Sequence, residues 1–225
     1  MIKNKTKPNN ILVVGDLHEP FCLDSYLQFN VNLYNKYNCN EVIFIGDIID
    51  GHAWNYHESN PDGLSVGDEV SFSIKRLQRW YKAFPKATIL FGNHDLLVAR
   101  KIKTAGLSEK FMKPLKDILA APKTWDFKHD YVKNNVIYLH GSTGDAIKRA
   151  RDSRLSTVQG HLHSKSFIEY SVSIKDKIFG MNVGCGIDKD LYAFEYGKPM
   201  AKKPIIGSGL VLDNGRLPII ELANL

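Results

Sequence analysis

Ten residues that carry usable chemistry fall into five short strings of this sequence. The strings are Asp16-Leu17-His18, Gly46-Asp47-Ile48-Ile49-Asp50, Gly92-Asn93-His94-Asp95, His140-Gly141 and Gly160-His161-Leu162-His163. They offer carboxylate, amide and imidazole donors and no thiolate. Donors of that kind suit two divalent metal ions, manganese foremost, with iron, zinc, nickel and magnesium as alternatives. Two-residue spacing in Asp16/His18 and in His161/His163 puts each pair on one face of an extended segment.

Each string follows a run that reads as a strand: ILVVG, EVIFIG, ATILFG, VIYL and STVQG. Donors therefore sit at strand ends, where α/β proteins gather their sites. The pattern predicts strands over 11–16, 41–47, 87–92, 136–139 and 157–159. Helices are predicted over 23–37, 65–84 (closed by Pro85), 96–103 and 145–154. The stretch 106–135, with Pro114 and Pro122, reads as less regular. After His163 the alternation gives way to β-branched and aromatic runs over 167–173 and 178–183, and then over 209–212 and 217–222 around Asp213-Asn214-Gly215, a hairpin signal. This order of elements predicts a sandwich of two mixed sheets with helices outside, an α/β fold of four layers.

The chain has 225 residues, 44% of them apolar and 24% charged, enough for one well-cored domain over 11–225 behind a loose basic leader over 1–10. No apolar run approaches the roughly 18 residues that span a bilayer, and the basic start has no apolar stretch behind it to make a secretory signal. Cys22, Cys39 and Cys185 are odd in number and far apart, which fits reduced thiols in a cytoplasmic protein and excludes a CxxC zinc site. Of the net charge of +6, most arises between Leu96 and Arg154, where thirteen Lys and Arg meet six Asp and Glu. That sector is either a set of solvated helix faces or a field that draws in an anionic substrate.

The five strings, in this order, resemble the motifs D-x-H, G-D-x-x-D, G-N-H-D/E, H and G-H-x-H of the calcineurin-like metallophosphoesterase superfamily. The resemblance implies a dinuclear centre. Asp16, His18 and His163 would hold one ion, Asn93, His140 and His161 the other, and Asp47 would bridge them. It also implies that His94 stands beside the scissile phosphate, that Asp95 orients it, and that Asp50 supports the ligands from behind. Two divalent ions against two carboxylates leave the centre net positive, which favours a phosphate oxyanion. Two metals roughly 3.5–4 Å apart acidify a bridging water and brace an in-line displacement, and His94 would assist the departing oxygen. The implied activity is hydrolysis of phosphate esters.

Two departures bear on substrate. Gly51 and Phe91 stand where protein phosphatases and diadenosine-tetraphosphatases carry phosphate-clamping arginines. The chain thus looks closer to the phosphodiesterase and nuclease branches, and a large added cap of the kind those nucleases carry is not expected within its length. A phosphodiester substrate is expected, with nucleic acid among the candidates and no membrane partner. A phosphomonoesterase and a non-catalytic metal-binding scaffold are the alternatives, although the scaffold reading finds no catalytic position lost. Around the strings, the loop 51–62 with His52, Trp54, Tyr56 and His57 either walls the pocket or simply packs. Lys148, Arg149, Arg151 and Arg154 form either a nucleic-acid contact or a solvated helix face. Arg100, Lys101 and Lys103 pose the same choice. The segment 192–203 either covers the site or edges a sheet.

Overall fold

A computed structural model describes residues 7–57, 60–191 and 203–223. The inner strands of the first sheet are nearly continuous apolar runs, so they are buried on both faces and must be covered on both sides. In β1 (Ile11–Val14), Leu12 and Val14 point to the core shared with helices, while Ile11 and Val13 point to the core between sheets. β2 (Glu41–Phe44) and β3 (Ala87–Leu90) follow β1 in parallel, and β4 (Trp125–Lys128) adds to β3. The second sheet holds β5 (Asp130–Lys133), β6 (Val136–Leu139), β7 (Ser156–Gln159), β8 (Phe167–Val172) and β9 (Lys177–Asn182) in the order β5-β6-β7-β9-β8. The last hairpin, β10 (Gly207–Leu212) and β11 (Leu217–Leu222), returns to the first sheet and pairs antiparallel with β1, giving the order β11-β10-β1-β2-β3-β4.

Helices α1 (Asp24–Lys36) and α2 (Val66–Ala83) cover the outer face of the first sheet through Tyr26, Leu33, Leu77 and Trp80. Between the sheets, Ile43, Ile45 and Leu90 meet Tyr138, Val158, Phe179 and Met181. Helix α5 (Ala146–Ser153) covers the far side by packing Ile147 and Ala150 on Ile178. The layers are therefore helix, sheet, sheet, helix, as the element order predicts. Ser65 caps α2 by accepting the Asp68 amide, and Asp145 caps α5 through the Lys148 amide. α3 (Leu97–Thr104) begins directly after the His94-Asp95 string.

The stretch 106–135 holds more order than its composition suggests: a 3₁₀ turn (Glu109–Phe111), α4 (Leu115–Ile118), and both β4 and β5. β4 and β5 are edge strands of four residues with two charges each, so they lack the apolar runs that mark the inner strands. The end of the expected leader is held: Asn9 bonds the side chains of Asn214 and Asn40, and Asn10 bonds the Tyr37 carbonyl. The segment expected over 192–203 lies, except for Lys203, outside the described residues. All three cysteines are buried free thiols. Among the described residues no helix is long and apolar enough to cross a membrane.

Candidate metal centre

The loops that follow β1, β2, β3, β6 and β7 converge at one edge of the sandwich, and all ten residues of the five strings meet there. Asp16 and Asp47 lie at its base, 0% and 1% exposed. Two glycines let the loops approach so closely: a Cβ on Gly92 would stand 2.0 Å from Asp47 Oδ1, and one on Gly160 would stand 2.2 Å from Asp16 Oδ1. His18, Asp47 and His161 take left-handed backbone angles (φ 53°, 48° and 66°). Such angles cost non-glycine residues of order 1–3 kcal/mol and persist only where surrounding contacts fix them. Here the Leu17 and His18 amides donate to the Asp47 carbonyl, and the His161 amide donates to Asp16 Oδ2 at 2.9 Å.

Three groups of donors form, each with its atoms mutually within 4.8 Å: Asp16, His18, Asp47 and His163 in the first, Asp47, His140 and His161 in the second, and His18, Asp50 and His94 in a third. Asp47 belongs to the first two. Asn93 Oδ1 joins the second group, 3.0 Å from His140 Nε2 and 2.9 Å from His161 Nδ1. In the first, His163 Nε2 lies 3.0 Å from Asp16 Oδ2 and 3.3 Å from His18 Nε2.

Outer hydrogen bonds set the ring tautomers. His18 Nδ1 donates to Asp50 Oδ1 at 2.6 Å, and His140 Nδ1 donates to the Ile45 carbonyl at 3.1 Å. A neutral ring so held turns its Nε2 lone pair inward, the orientation that metal-binding histidines require. His140 Nε2 is 3.2 Å from Asp47 Oδ2, yet that oxygen has no hydrogen-bond donor among the described residues, and neither has Asp16 Oδ1. A buried carboxylate oxygen that faces the Nε2 lone pairs of His18 (3.6 Å) and His140 (3.2 Å), as Asp47 Oδ2 does, is costly unless a cation lies between them. The donor set fits two divalent ions.

Electrostatics follow from the same crowding. Burial pushes the Asp47 carboxyl upward, but His140, His94 and His18 around it hold it well below the usual range. Burial lowers the His18 imidazole, and the neighbouring His94 lowers it further. Asp95 is pushed up to about 7, by burial first and by the Asp47 charge second.

His94 stands outside the two groups that share Asp47 and clusters with His18 and Asp50. Its Nδ1 donates to the main-chain carbonyl of Asp50, and its amide donates to Asp47 Oδ1 at 2.7 Å. The structure thus gives the orientation of His94 to Asp50 rather than to Asp95. The Asp95 carboxylate is occupied by the amides of Ile48 (3.0 Å), Ile49 (3.4 Å) and Gly92 (2.8 Å), and so it ties the second string to the third. Burial opposes protonation of His94, but the carboxylates of Asp47 and Asp50 outweigh it and raise its pKa.

The donors floor an open cleft of about 310 Å³, lined by Asp47, Asp50, Asn93, His94, His161 and His163 together with His52, Asn55 and His57. The loop after Asp50 therefore does form a wall. Trp54 packs it onto the core, whereas Tyr56 is 52% exposed. One residue that carries this wall has no motif to announce it. Glu69 of α2 is buried and accepts the amides of His52 at 2.9 Å and Ala53 at 2.8 Å. His52 Nε2 in turn accepts the Asn60 amide at 3.1 Å and closes the loop. The three arginines in and just after α5 serve the fold, whereas Lys148 is exposed: Arg149 bonds Gln159 and Ser142, Arg151 pairs with Glu169, and Arg154 pairs with Asp176.

The profile of the calcineurin-like phosphoesterase family matches residues 10–181, a span that contains every one of these donors. The chain belongs to that family. Among solved structures, calcineurin-like folds align over nearly the whole chain. An archaeal phosphodiesterase superposes with a TM-score of 0.52 at 16% identity, covering 95% of this chain and 99% of that one. Vps29 from Entamoeba histolytica gives 0.42 at 13% identity, over 96% and 99%. The nuclease MPE from Pseudomonas putida gives 0.42 at 14%, over 95% and 87%. At these identities the likeness concerns the fold alone. No curated protein matches the chain in sequence.

Proposed function

We propose that this calcineurin-like protein is a dinuclear metal-dependent phosphodiesterase. Asp16, His18 and His163 would hold one ion, Asn93, His140 and His161 the other, with Asp47 shared. The observation that carries the reading is the buried carboxylate oxygen Asp47 Oδ2, which faces His140 Nε2 at 3.2 Å and His18 Nε2 at 3.6 Å, one from each of the two groups that share Asp47. When bound, two divalent cations supply the positive charge that attracts a phosphate and acidifies a water molecule.

The protein's own groups do the rest. With Nδ1 donating to the Asp50 carbonyl, His94 keeps Nε2 as the atom that carries a mobile proton. That proton goes to the departing ester oxygen, a role typically worth about 10²–10⁴-fold. A diester fits better than a monoester. No lysine or arginine lines the cleft among the described residues, so beyond the ions and His94 no cationic side chain is there to clamp the second negative charge of a monoester dianion.

Protein stripped with chelator and then supplied with Mn²⁺ is expected to hydrolyse a bis-aryl phosphate faster than an aryl monophosphate. His94→Ala should lose about 10²–10⁴-fold in kcat with its metal content intact. Absence of turnover with every divalent metal, or a His94→Ala rate equal to wild type, overturns the reading.

A further inference from the structure

The segment Phe91–Leu96 has two sides. Asn93 and His94 face the cleft, while Phe91 and Leu96 line a neighbouring groove of about 640 Å³. The groove combines aromatic and cationic surface with three carboxylates, of which Asp126 pairs with Lys128, Asp95 is turned to backbone amides and Glu109 is exposed. Phe91 is half-buried against Phe127 and His129, with ring centroids 5.7 and 5.1 Å away, and His129 is exposed. Arg100 and Lys103, one helical turn apart on α3, edge the same groove. Among the described residues neither of them, nor Lys101, is in an ion pair, whereas Arg149, Arg151 and Arg154 are all engaged. Arg100 is nevertheless held in place: its guanidinium carbon lies 5.1 Å from the Tyr56 ring centroid, and Lys101 Nζ lies 4.9 Å from it. Tyr56 sits between Asn55 and His57, both of which line the cleft. One wall and one cation–aromatic contact thus join the two hollows.

We propose that this groove binds the nucleotide next to the scissile phosphate of a single-stranded oligonucleotide, with the base against Phe91 and His129 and the adjacent phosphate on Arg100 and Lys103. This rests on the phosphodiesterase reading and adds a substrate class to it. Aromatic platforms take any base by stacking, and unpaired cations follow the backbone. Tyr56 is a positioning residue that keeps Arg100 at the rim shared by the cleft and the groove.

Two measurements test the proposal. In the first, the ratio of kcat/KM for a thymidine trinucleotide to that for a bis-aryl phosphate is compared between wild type and Arg100→Gln/Lys103→Gln, both loaded with Mn²⁺. The ratio is expected to fall at least tenfold in the variant, and an unchanged ratio overturns the groove. In the second, binding of a fluorescein-labelled oligothymidylate to His94→Ala protein is followed by anisotropy across a salt series. Removing the two cations should flatten the log–log salt slope by about 1–1.5, and Phe91→Leu should weaken binding by about tenfold with the slope kept. Identical binding by all these proteins refutes the proposal even if the bis-aryl phosphate is cleaved. Failure of bis-aryl turnover in wild type, alongside salt-dependent binding that the variants lose, strikes the phosphodiesterase reading and leaves the groove standing.

Discussion

His18 and Asp50, 32 residues apart in sequence, are joined by a 2.6 Å hydrogen bond that fixes which nitrogen of His18 faces the centre. The same Asp50 uses its main-chain carbonyl to hold His94. One residue thus aligns a proposed ligand with its side chain and a proposed proton donor with its backbone. Asp50→Ala removes only the first of these. Its Mn²⁺ affinity is expected to fall about 10–100-fold, while saturating metal restores much of the rate. Calorimetric titration with Mn²⁺ measures this, and an unchanged affinity would remove Asp50 from its supporting role.

Gly160 tests the packing of the base. A methyl group there would stand 2.2 Å from Asp16 Oδ1 and 2.5 Å from Ile45 Cγ2. Gly160→Ala is expected to cost about 1–3 kcal/mol of stability and to lose the metal held by Asp16. Gly67→Ala is the control, because the nearest atom to its new methyl is Ser65 Oγ at 4.0 Å. Gly67 lies inside α2 and should gain roughly 0.5–1 kcal/mol. Thermal melts and metal analysis of the two variants give the comparison.

Glu69 gives the wall loop a pH dependence. Burial pushes its carboxyl up to about 7, against the amide donors of Ala53 and His52, which lower it. A folded-state pKa above the unfolded one means that its contribution to stability is fully present below about pH 4.5 and is lost as the pH rises through about 7. The size is at most about 3 kcal/mol. Melting temperatures of wild type and Glu69→Gln between pH 5 and 8 should therefore converge or cross, with the flatter curve belonging to the variant. Parallel curves would show that Glu69 does not titrate there.

Glu19 anchors the loop after His18 from beneath. It is fully buried and bonds Arg76, Arg79 at 3.2 Å and the Trp80 indole at 2.9 Å. Glu19→Ala leaves two guanidinium groups without that partner and should destabilise the fold by about 3 kcal/mol, roughly 6–12 °C in Tm. A Tm within 2 °C of wild type would mean that the network contributes nothing net.

The sequence exposes whatever is local. Apolar runs ending in Asp, Asn or His mark five strand ends, and the Asp213-Asn214-Gly215 signal marks the final hairpin. Three kinds of feature stay hidden. β4 and β5 carry edge-strand charges in place of an apolar pattern. Glu69 and Glu19 are carboxylates whose burial depends on amides and guanidinium groups far along the chain, so in sequence they look like surface charges. The left-handed angles of His18, Asp47 and His161 occur at residues that rarely adopt them, and tertiary contacts alone impose them. Asp95 shows a further limit: adjacency to His94 suggested a shared task, but its carboxylate turns back to the backbone of the second string.

The donors are also divided between the two sheets. Asp16, His18, Asp47 and Asn93 follow strands of the first, and His140, His161 and His163 follow strands of the second. Each proposed ion is therefore a rivet through the sandwich, and metal occupancy and adhesion of the sheets become one equilibrium. Removing metal should loosen the whole edge at once, so amide exchange at the ends of β1, β2, β6 and β7 would rise together, in step with free Mn²⁺.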